Sequence, residues 1–369
     1  MKKILSLCCL TLVSVWAMAD NNGPSGLKAG FIKGTPQIES MNALAFGPEG
    51  ILFIGDSKSA KVYAVDTEEE KIKEAKEVRI ANFDHEVAGA LGTTADKISI
   101  QDMAVNPLSK AIYVSVHHND GTPVLLKVVG NEIKAVKLND IGYSEVAINN
   151  PIDKEAKDRR GRELRISAVS DLSYYKGNVM VSGLSNQEFR STFRSIPFPF
   201  TQKQMHSSLE IYHAAHGQYE TFAPIKAFTA TEVGDTPHLI AGYTCTPLVV
   251  FPLNTLKPGE HVKGRTVAEL GNWNTPLDMI TMEKEGNKYL LIANSNRALM
   301  KIKVNDIASF NSDLTTQVKE RSSTAGVNFI ALPFVNVLQL DKLDNSQFVL
   351  LQRKATGSLD LFSSGNRWL

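Results

Sequence analysis

The chain has 369 residues, of which 43% are hydrophobic and 21% are charged, and its formal net charge at pH 7 is +1. A chain of this length and hydrophobic content can bury a sizeable core as one domain. Its nearly neutral charge, with no basic block, excludes nucleic acid as the main predicted partner.

The first 19 residues have the pattern of a cleaved secretory signal. Lys2 and Lys3 precede the apolar residues 4–16, and an Ala-Met-Ala end follows at residues 17–19. This pattern predicts cleavage near Ala19, a periplasmic or secreted location, and a mature domain over residues 20–369. No other apolar run is long enough to span a bilayer, so no membrane span is predicted.

From Met41 the chain reads as a three-stranded meander that recurs. Short apolar runs at residues 43–46, 51–55 and 61–66 are bounded by turn residues and are too short for helices. The six copies cover residues 41–66, 102–129, 171–196, 226–253, 278–304 and 336–362. Candidates for a fourth strand are residues 77–81, 133–138, 209–214, 265–270 and 327–332. Four-stranded units at this regular spacing predict an all-β fold, a six-bladed β-propeller.

The sixth copy has no room for a fourth strand because the chain ends at Leu369. Residues 27–34 form a spare strand before the first copy, and this predicts that an N-terminal strand closes the ring. In an antiparallel meander, the starts of the first strands, the ends of the second strands and the inserts between blades share one face. The long insert at residues 139–164 is therefore expected to overhang that face.

Polar residues stand at the start of the six predicted inner strands, and they are Asn42, Asp102, Asp171, Lys226, Asp278 and Asn336. Inner strands line the central channel, so these side chains are expected to converge near its mouth. Three carboxylates held close together repel, which raises a pKa or demands a cation. In one interpretation Lys226 supplies the positive charge of a structural hub. In the other, the Asp and Asn oxygens hold a divalent ion such as Ca²⁺.

The text GILFIGDSKSAKVYAVD of the first blade resembles the six-bladed NHL and SMP-30/gluconolactonase propellers. That resemblance implies a divalent metal held by Glu39, Asp171 and Asp278, and a metal-dependent lactonase or esterase activity. Leu172 and Met279 follow the two aspartates, where the family usually has glycine.

Further candidates lie at the ends of predicted second strands, on the same face as the ring: His117, His118, Cys245 and Asn294. Cys245 is the only cysteine after signal cleavage, and it reads as a buried small apolar residue or as a metal-binding or partner-linking thiol. His213 and His216 are predicted to be structural, because a spacing of three places them on opposite sides of a strand.

The sequence lacks the C-x-x-C-H, G-x-S-x-G, H-E-x-x-H and P-loop patterns. The leading hypothesis is therefore a periplasmic or secreted propeller that binds a partner protein or a small ligand on the face with the ring and the inserts. The alternatives are a metal-dependent hydrolase of the lactonase type and an accessory protein of a periplasmic redox enzyme.

Overall fold

Six sheets, antiparallel apart from one parallel strand pair, surround a central channel in the computed structural model, which describes residues 26–320 and 322–369. The predicted six-bladed β-propeller is confirmed, whereas the predicted signal peptide lies outside the described residues. The second strand of the first sheet, Ile51–Asp56, is buried along its whole length, and the second strands of the other sheets are buried over most of theirs, because neighbouring blades cover both faces. In the described part of the chain, no helix is long and apolar enough to cross a membrane.

The blades are numbered by the order of their inner strands along the chain, and their strands run from the channel outward. Blade 1 consists of Ala43–Phe46, Ile51–Asp56, Lys61–Asp66, Ile141–Ala147 and Ile32–Gly34. Blade 2 consists of Ile98–Val105, Ile112–His118, Pro123–Val129 and Glu132–Ala135. Blade 3 consists of Asp171–Tyr175, Asn178–Leu184, Ser191–Pro197 and Met205–His213, with Gln218–Glu220 and His261–Lys263 paired to its last strand.

The other three blades follow the same plan. Blade 4 consists of Ala227–Val233, Thr236–Gly242, Pro247–Pro252, Arg265–Glu269 and Ala325–Gly326. Blade 5 consists of Pro276–Lys284, Asn287–Asn294, Met300–Lys303 and Ile330–Ala331. Blade 6 consists of Val337–Lys342, Gln347–Arg353, Leu359–Gly365 and Arg79–Ile80. The α-helices of the described residues are Phe83–Ala90 and Val304–Ser309, and short 3₁₀ helices lie at Gly26–Lys28, Pro48–Gly50, Ala95–Lys97, Arg165–Ser167, Leu253–Thr255 and Asn366–Trp368.

The closure of the ring differs from the prediction. Arg79–Ile80, expected in blade 1, pairs with Leu359–Gly365 and completes blade 6. The outer position of blade 1 is filled instead by Ile141–Ala147, from within the predicted insert. The N-terminal strand Ile32–Gly34 pairs with that strand and is therefore a fifth strand of blade 1, not the closing strand. Strand pairing over such distances leaves no local sequence signal, because a two-residue strand carries little pattern of its own.

The blades are not arranged around the ring in chain order. Buried hydrophobic clusters join blades 1 and 3, 3 and 4, 4 and 5, 5 and 6, 6 and 2, and 2 and 1. Blade 2 therefore lies between blades 6 and 1, and blade 1 lies between blades 2 and 3. Below, the face with the starts of the inner strands is called the upper face, and the opposite one the lower face.

Candidate functional site

The central channel holds part of the predicted ring. Asp102, Asp171 and Asp278 all line a cavity of about 680 Å³ that is bounded by the inner strands of all six blades and opens toward the lower face. Asp341, in the inner strand of blade 6 and five residues after Asn336, lines the same cavity. Four aspartates of the inner strands thus line the channel, and the alignment of copies did not identify one of them, Asp341.

Each of these aspartates joins two neighbouring blades. The Met103 N–H and the Leu44 N–H of blade 1 both donate to the carboxylate of Asp102, each at 2.7 Å. The other three aspartates follow the same pattern, each accepting one N–H from its own strand and one from an adjacent blade. Asp171 accepts from Leu172 and from Phe228 of blade 4. Asp278 accepts from Met279 and from Leu340 of blade 6, and Asp341 accepts from Lys342 and from Val105 of blade 2. A carboxylate with two backbone donors is well satisfied, so these side chains fasten blade 2 to 1, 3 to 4, 5 to 6 and 6 to 2.

The environment of the channel opposes ionisation. Burial, together with the charge of a neighbouring aspartate, raises the pKa of Asp102, Asp171 and Asp278 well above 3.8. Burial raises the pKa of Asp341 to about 6. Repulsion between the ring carboxylates thus adds to the effect of burial, and the channel carries fewer negative charges at neutral pH than four ionised aspartates would.

We expect the free energy of unfolding to fall as the pH rises above about 5. Above pH 3.8 the folded chain keeps protons on the channel aspartates that the unfolded chain has already released. The stabilisation from these raised pKa values is therefore complete below pH 3.8 and is lost as the pH rises through them. For Asp341, which faces Asp102 and Asp278 and precedes Lys342, a rise of the pKa from 3.8 to about 6 corresponds to at most about 3 kcal/mol, of which about half is lost above pH 5. Urea unfolding between pH 5 and pH 8 measures this slope.

Asp341→Asn should flatten the slope, because an amide does not titrate. Asp120→Asn is the control, since hydrogen bonding to Thr122 lowers the pKa of that exposed carboxylate and it does not titrate above pH 5. Equal slopes for the wild type and Asp341→Asn would contradict the assignment.

The other three ring residues do not reach the aspartates. Asn42 and Lys226 stand one residue before their inner strands, and Asn336 has a left-handed backbone with φ of 55° one residue before its strand. No ion pair within 4.0 Å connects Lys226 to a channel aspartate among the described residues. Burial and then the nearby charge of Arg162 lower the pKa of Lys226, which places its charge toward the upper face.

The remaining predicted residues have mainly structural contacts. His117 Nε2 accepts a hydrogen bond from the Met41 N–H at 2.9 Å. The His118 N–H donates to the Thr122 carbonyl at the start of a turn. Asn294 is buried, and its amide donates to the carbonyls of Ile292 and Ala298. Glu39 is exposed and does not line the channel with Asp171 and Asp278. The structure therefore does not bring the three residues of the implied metal set together.

A second, larger cavity of about 1330 Å³ lies on the upper face, above blades 3, 4 and 5. Its wall includes five basic side chains, Lys157, Arg159, Arg160, Arg162 and Arg190, against two acidic ones, Asp158 and Glu188. Two aromatic side chains, Phe222 at 57% and Trp273 at 66% exposure, complete the wall. Of the insert predicted to overhang this face, residues 157–164 do line the cavity and bring a net positive charge there, whereas Ile141–Ala147 belongs to blade 1.

A small hairpin in the insert presents the arginines. Asp158 accepts the backbone N–H groups of Arg160 and Arg162 at 2.8 and 2.9 Å and pairs with the Arg162 guanidinium at 2.6 Å. Gly161 takes a φ of 77°, which the tight turn requires. The tip, with Arg159 and Arg160, is exposed beside the cavity.

A cluster of His213, His216 and Cys245 lies at the boundary of blades 3 and 4, and the latter two line the upper cavity. One donor atom from each residue lies within 4.8 Å of the other two, and no other such group of three His, Cys, Asp or Glu side chains occurs in the described part of the chain. The two imidazole rings are 3.8 Å apart between centroids. The expectation that the two histidines lie on opposite sides of a strand is wrong.

The two histidines lie on the same side because the strand ends at His213. The chain turns over residues 214–217, where the N–H groups of His216 and Gly217 donate to the His213 carbonyl, and Gln218–Glu220 returns along the strand. This turn brings both rings to Glu220, whose carboxylate oxygens lie 2.9 Å from His213 Nδ1 and 2.6 Å from His216 Nδ1. The glycine after His216 was the available signal for the turn.

Burial alone would raise the pKa of Glu220, but hydrogen bonds from His213 and His216 outweigh it and lower the value to about 2. Behind the turn, burial raises the pKa of Glu269 to about 8, and one of its oxygens accepts the Ala215 N–H at 3.1 Å. One ionised and one protonated carboxyl group thus stand behind the histidine turn at neutral pH.

Cys245 reaches the cluster from the turn between the second and third strands of blade 4. Both Cys245 and Thr246 have left-handed backbones, with φ of 64° and 63°. Bonds from the Cys245 N–H to the Asn274 carbonyl, and from Thr246 Oγ1 to the Gly271 carbonyl, hold this strained turn in place. Cys245 was predicted either to be buried or to act as a metal-binding or partner-linking thiol. Its side chain is only partly buried, because it borders the upper cavity.

No family model and no curated protein matches the chain. Among solved structures, a luciferin-regenerating enzyme aligns over 92% of this chain and 96% of its own, with 9% identity and a TM-score of 0.36. A GH43 endo-arabinanase from Bacillus licheniformis covers 72% and 92%, with 14% identity and a TM-score of 0.35. Drosophila Plexin A in complex with Semaphorin 1b covers 92% and 86%, with 10% identity and a TM-score of 0.37. These likenesses are too distant to carry an argument about function.

Proposed function

We propose that this propeller binds a ligand, and that the upper cavity holds an anionic ligand with a flat apolar part. The observation that carries the proposal is the wall itself, where basic side chains of the insert and Arg190 stand beside exposed Phe222 and Trp273. Arginine pairs with carboxylate, sulfate or phosphate groups through a planar fork of donors. Aromatic faces offer stacking surface to a flat ligand. A periplasmic or secreted location would suit a receptor for such a compound.

The channel is the weaker candidate for this role. The carboxylates of its four aspartates already accept hydrogen bonds from backbone N–H groups of adjacent blades. Lys71, Lys73 and Lys110 surround the lower opening. These contacts suit blade cohesion. The upper cavity, in contrast, presents exposed basic side chains, such as Arg159, Arg160 and Arg190, to a ligand.

Anilinonaphthalene sulfonate, an aromatic anion, is the probe for this cavity, and uncharged phenylnaphthylamine is its matched neutral control. We expect Arg159→Gln/Arg160→Gln to weaken binding of the sulfonate about tenfold, because two ion pairs are lost, and to leave the neutral probe unchanged. Added salt should weaken only the sulfonate. Probe fluorescence titrations measure both affinities.

Lys33→Gln/Lys134→Gln removes two exposed positive charges from blades 1 and 2 and is the matched control. It should bind both probes as the wild type does. Trp273→Ala should weaken both probes. Equal sulfonate affinity in the wild type and in Arg159→Gln/Arg160→Gln would refute the proposal.

The resemblance to SMP-30-like lactonases supports a second hypothesis, a divalent-metal-dependent hydrolase in the channel. Its supporting observation is that Asp171 and Asp278 do meet there. Titrating Ca²⁺ into chelator-treated protein tests it: a Ca²⁺-dependent rise in melting temperature that Asp278→Asn abolishes would support it, and no rise would remove it.

A further inference from the structure

Besides the closeness of its donor atoms, the cluster of His213, His216 and Cys245 has further features of an ion-binding site. His213 is 2% exposed, and its Nε2 has no hydrogen-bond partner among the described residues. A buried polar nitrogen without a partner is unfavourable, because it has lost water and gained nothing. Since Nδ1 of both rings is bound to Glu220, the nitrogen that each ring can offer to a ligand is Nε2.

The arrangement around Glu220 matches what metal-binding histidines require. In protein metal sites, the nitrogen that does not bind the metal usually donates to a carboxylate, which fixes the tautomer and orients the ring. Here one buried carboxylate does this for both rings, with its side chain only 4% exposed. The two imidazoles are therefore oriented before any ion arrives.

The donor set selects the class of ion. A thiolate and two imidazoles are soft and borderline ligands, which suit zinc and copper and not Ca²⁺ or Mg²⁺. Charge balance is favourable as well, because a thiolate would offset part of the charge of a divalent ion held here. Three protein ligands leave one position of a tetrahedral ion free.

We propose that His213, His216 and Cys245 bind a thiophilic transition-metal ion, Zn²⁺ or copper, with its fourth coordination position open to the upper cavity. His216 and Cys245 border the cavity, so an ion held there would face any ligand in it. Glu220 is a positioning residue that acts through the two imidazoles. The proposal stands without the ligand proposed above, since metal binding needs only this cluster.

Cobalt is the probe, in a chain whose Cys8 and Cys9 are replaced by serine so that Cys245 is the only thiol. After chelator treatment and desalting, one Co²⁺ per chain should bind and give the near-ultraviolet charge-transfer band of a cobalt–thiolate bond with the intense visible bands of four-coordinate Co²⁺. Zn²⁺ should displace it stoichiometrically. Copper added in place of cobalt decides which of the two ions binds more tightly.

Three variants report on the ligands separately. Cys245→Ala should abolish the charge-transfer band, and His216→Gln, at a side chain that is 46% exposed, should remove the four-coordinate spectrum without unfolding the protein. Glu220→Gln should retain the band but weaken Zn²⁺ binding about 10- to 100-fold, as loss of an orienting carboxylate does. His238→Gln is the matched control and should bind normally, because this histidine lies in blade 4, where its Nδ1 bonds the Thr236 carbonyl.

A wild type that binds less than one Co²⁺ per chain, or a charge-transfer band that persists in Cys245→Ala, would overturn the proposal. The melting temperature supplies a second readout, because Zn²⁺ should raise it in the wild type and not in His216→Gln. Arg159→Gln/Arg160→Gln should bind Co²⁺ normally, and the metal-free wild type should bind the sulfonate probe normally. Failure of one proposal is thereby distinguished from failure of the other.

Discussion

Replacing Ile80 by alanine is expected to lower the free energy of unfolding by about 2–5 kcal/mol, the usual effect of truncating a large buried aliphatic side chain. Ile80 belongs to the short strand that closes blade 6, pairs with Leu361 and is 7% exposed. Its side chain packs in the cluster between blades 2 and 6, so a cavity there weakens both the last sheet and its junction with the next blade. Urea unfolding followed by circular dichroism measures the change.

Ile32→Ala is the matched control, because it removes the same atoms from the outermost strand of blade 1. Ile32 is 59% exposed, and we expect a change within about 0.5 kcal/mol. A greater loss for Ile32→Ala than for Ile80→Ala would mean that the N-terminal strand, and not Arg79–Ile80, holds the ring closed.

Gly183→Ala should be the most damaging single-methyl change in blade 3. A Cβ at Gly183 would lie 2.2 Å from the Ala168 carbonyl oxygen and 2.9 Å from that of Ser167, and backbone atoms cannot rotate away as a side chain can. We expect a loss of about 3 kcal/mol or more, at the upper end of overpacking effects. Urea unfolding measures the loss.

The same substitution should also disturb the upper cavity. The displaced turn is continuous with the arginine hairpin, and Arg165 within it donates to the carbonyls of Ile152 and Lys58 at 2.6 and 3.0 Å. Binding of anilinonaphthalene sulfonate should therefore weaken in the folded fraction. Gly89→Ala is the matched control: a Cβ there meets nothing within 4 Å, and in the helix Phe83–Ala90 alanine should stabilise by about 0.5–1 kcal/mol. Equal effects of the two glycine changes would contradict the close approach at Gly183.

The blade count was predictable because the three inner strands of every blade repeat the same alternation of apolar runs and turns. For the fourth strands, the sequence predicted where a strand lies in the chain better than which strand it pairs with. Residues 77–81 do form a strand, Arg79–Ile80, but nothing within it distinguishes blade 1 from blade 6. Partner choice there depends on the packing of whole sheets, which a local pattern does not contain.

The candidate site shows the same division. Asp102, Asp171 and Asp278 were identifiable because they recur at one position of the repeat, and the structure places them together in the channel. The histidine cluster was not, because His213 closes one strand, Glu220 returns along it, and Cys245 comes from the next blade. Such a convergence across two blades becomes visible only when the turn after His213 and the neighbouring sheet are both known.

The interleaved order of blades 1, 2 and 6 constrains how the chain can acquire its fold during synthesis. The first three strands of blade 1 must wait for Ile141–Ala147, and Arg79–Ile80 must wait for a partner some 280 residues later. Until then the nascent polypeptide exposes unpaired strand edges, the surfaces most prone to aggregation. Contacts this remote in sequence slow folding, and they make the ring a structure that assembles only once its last residues have been translated.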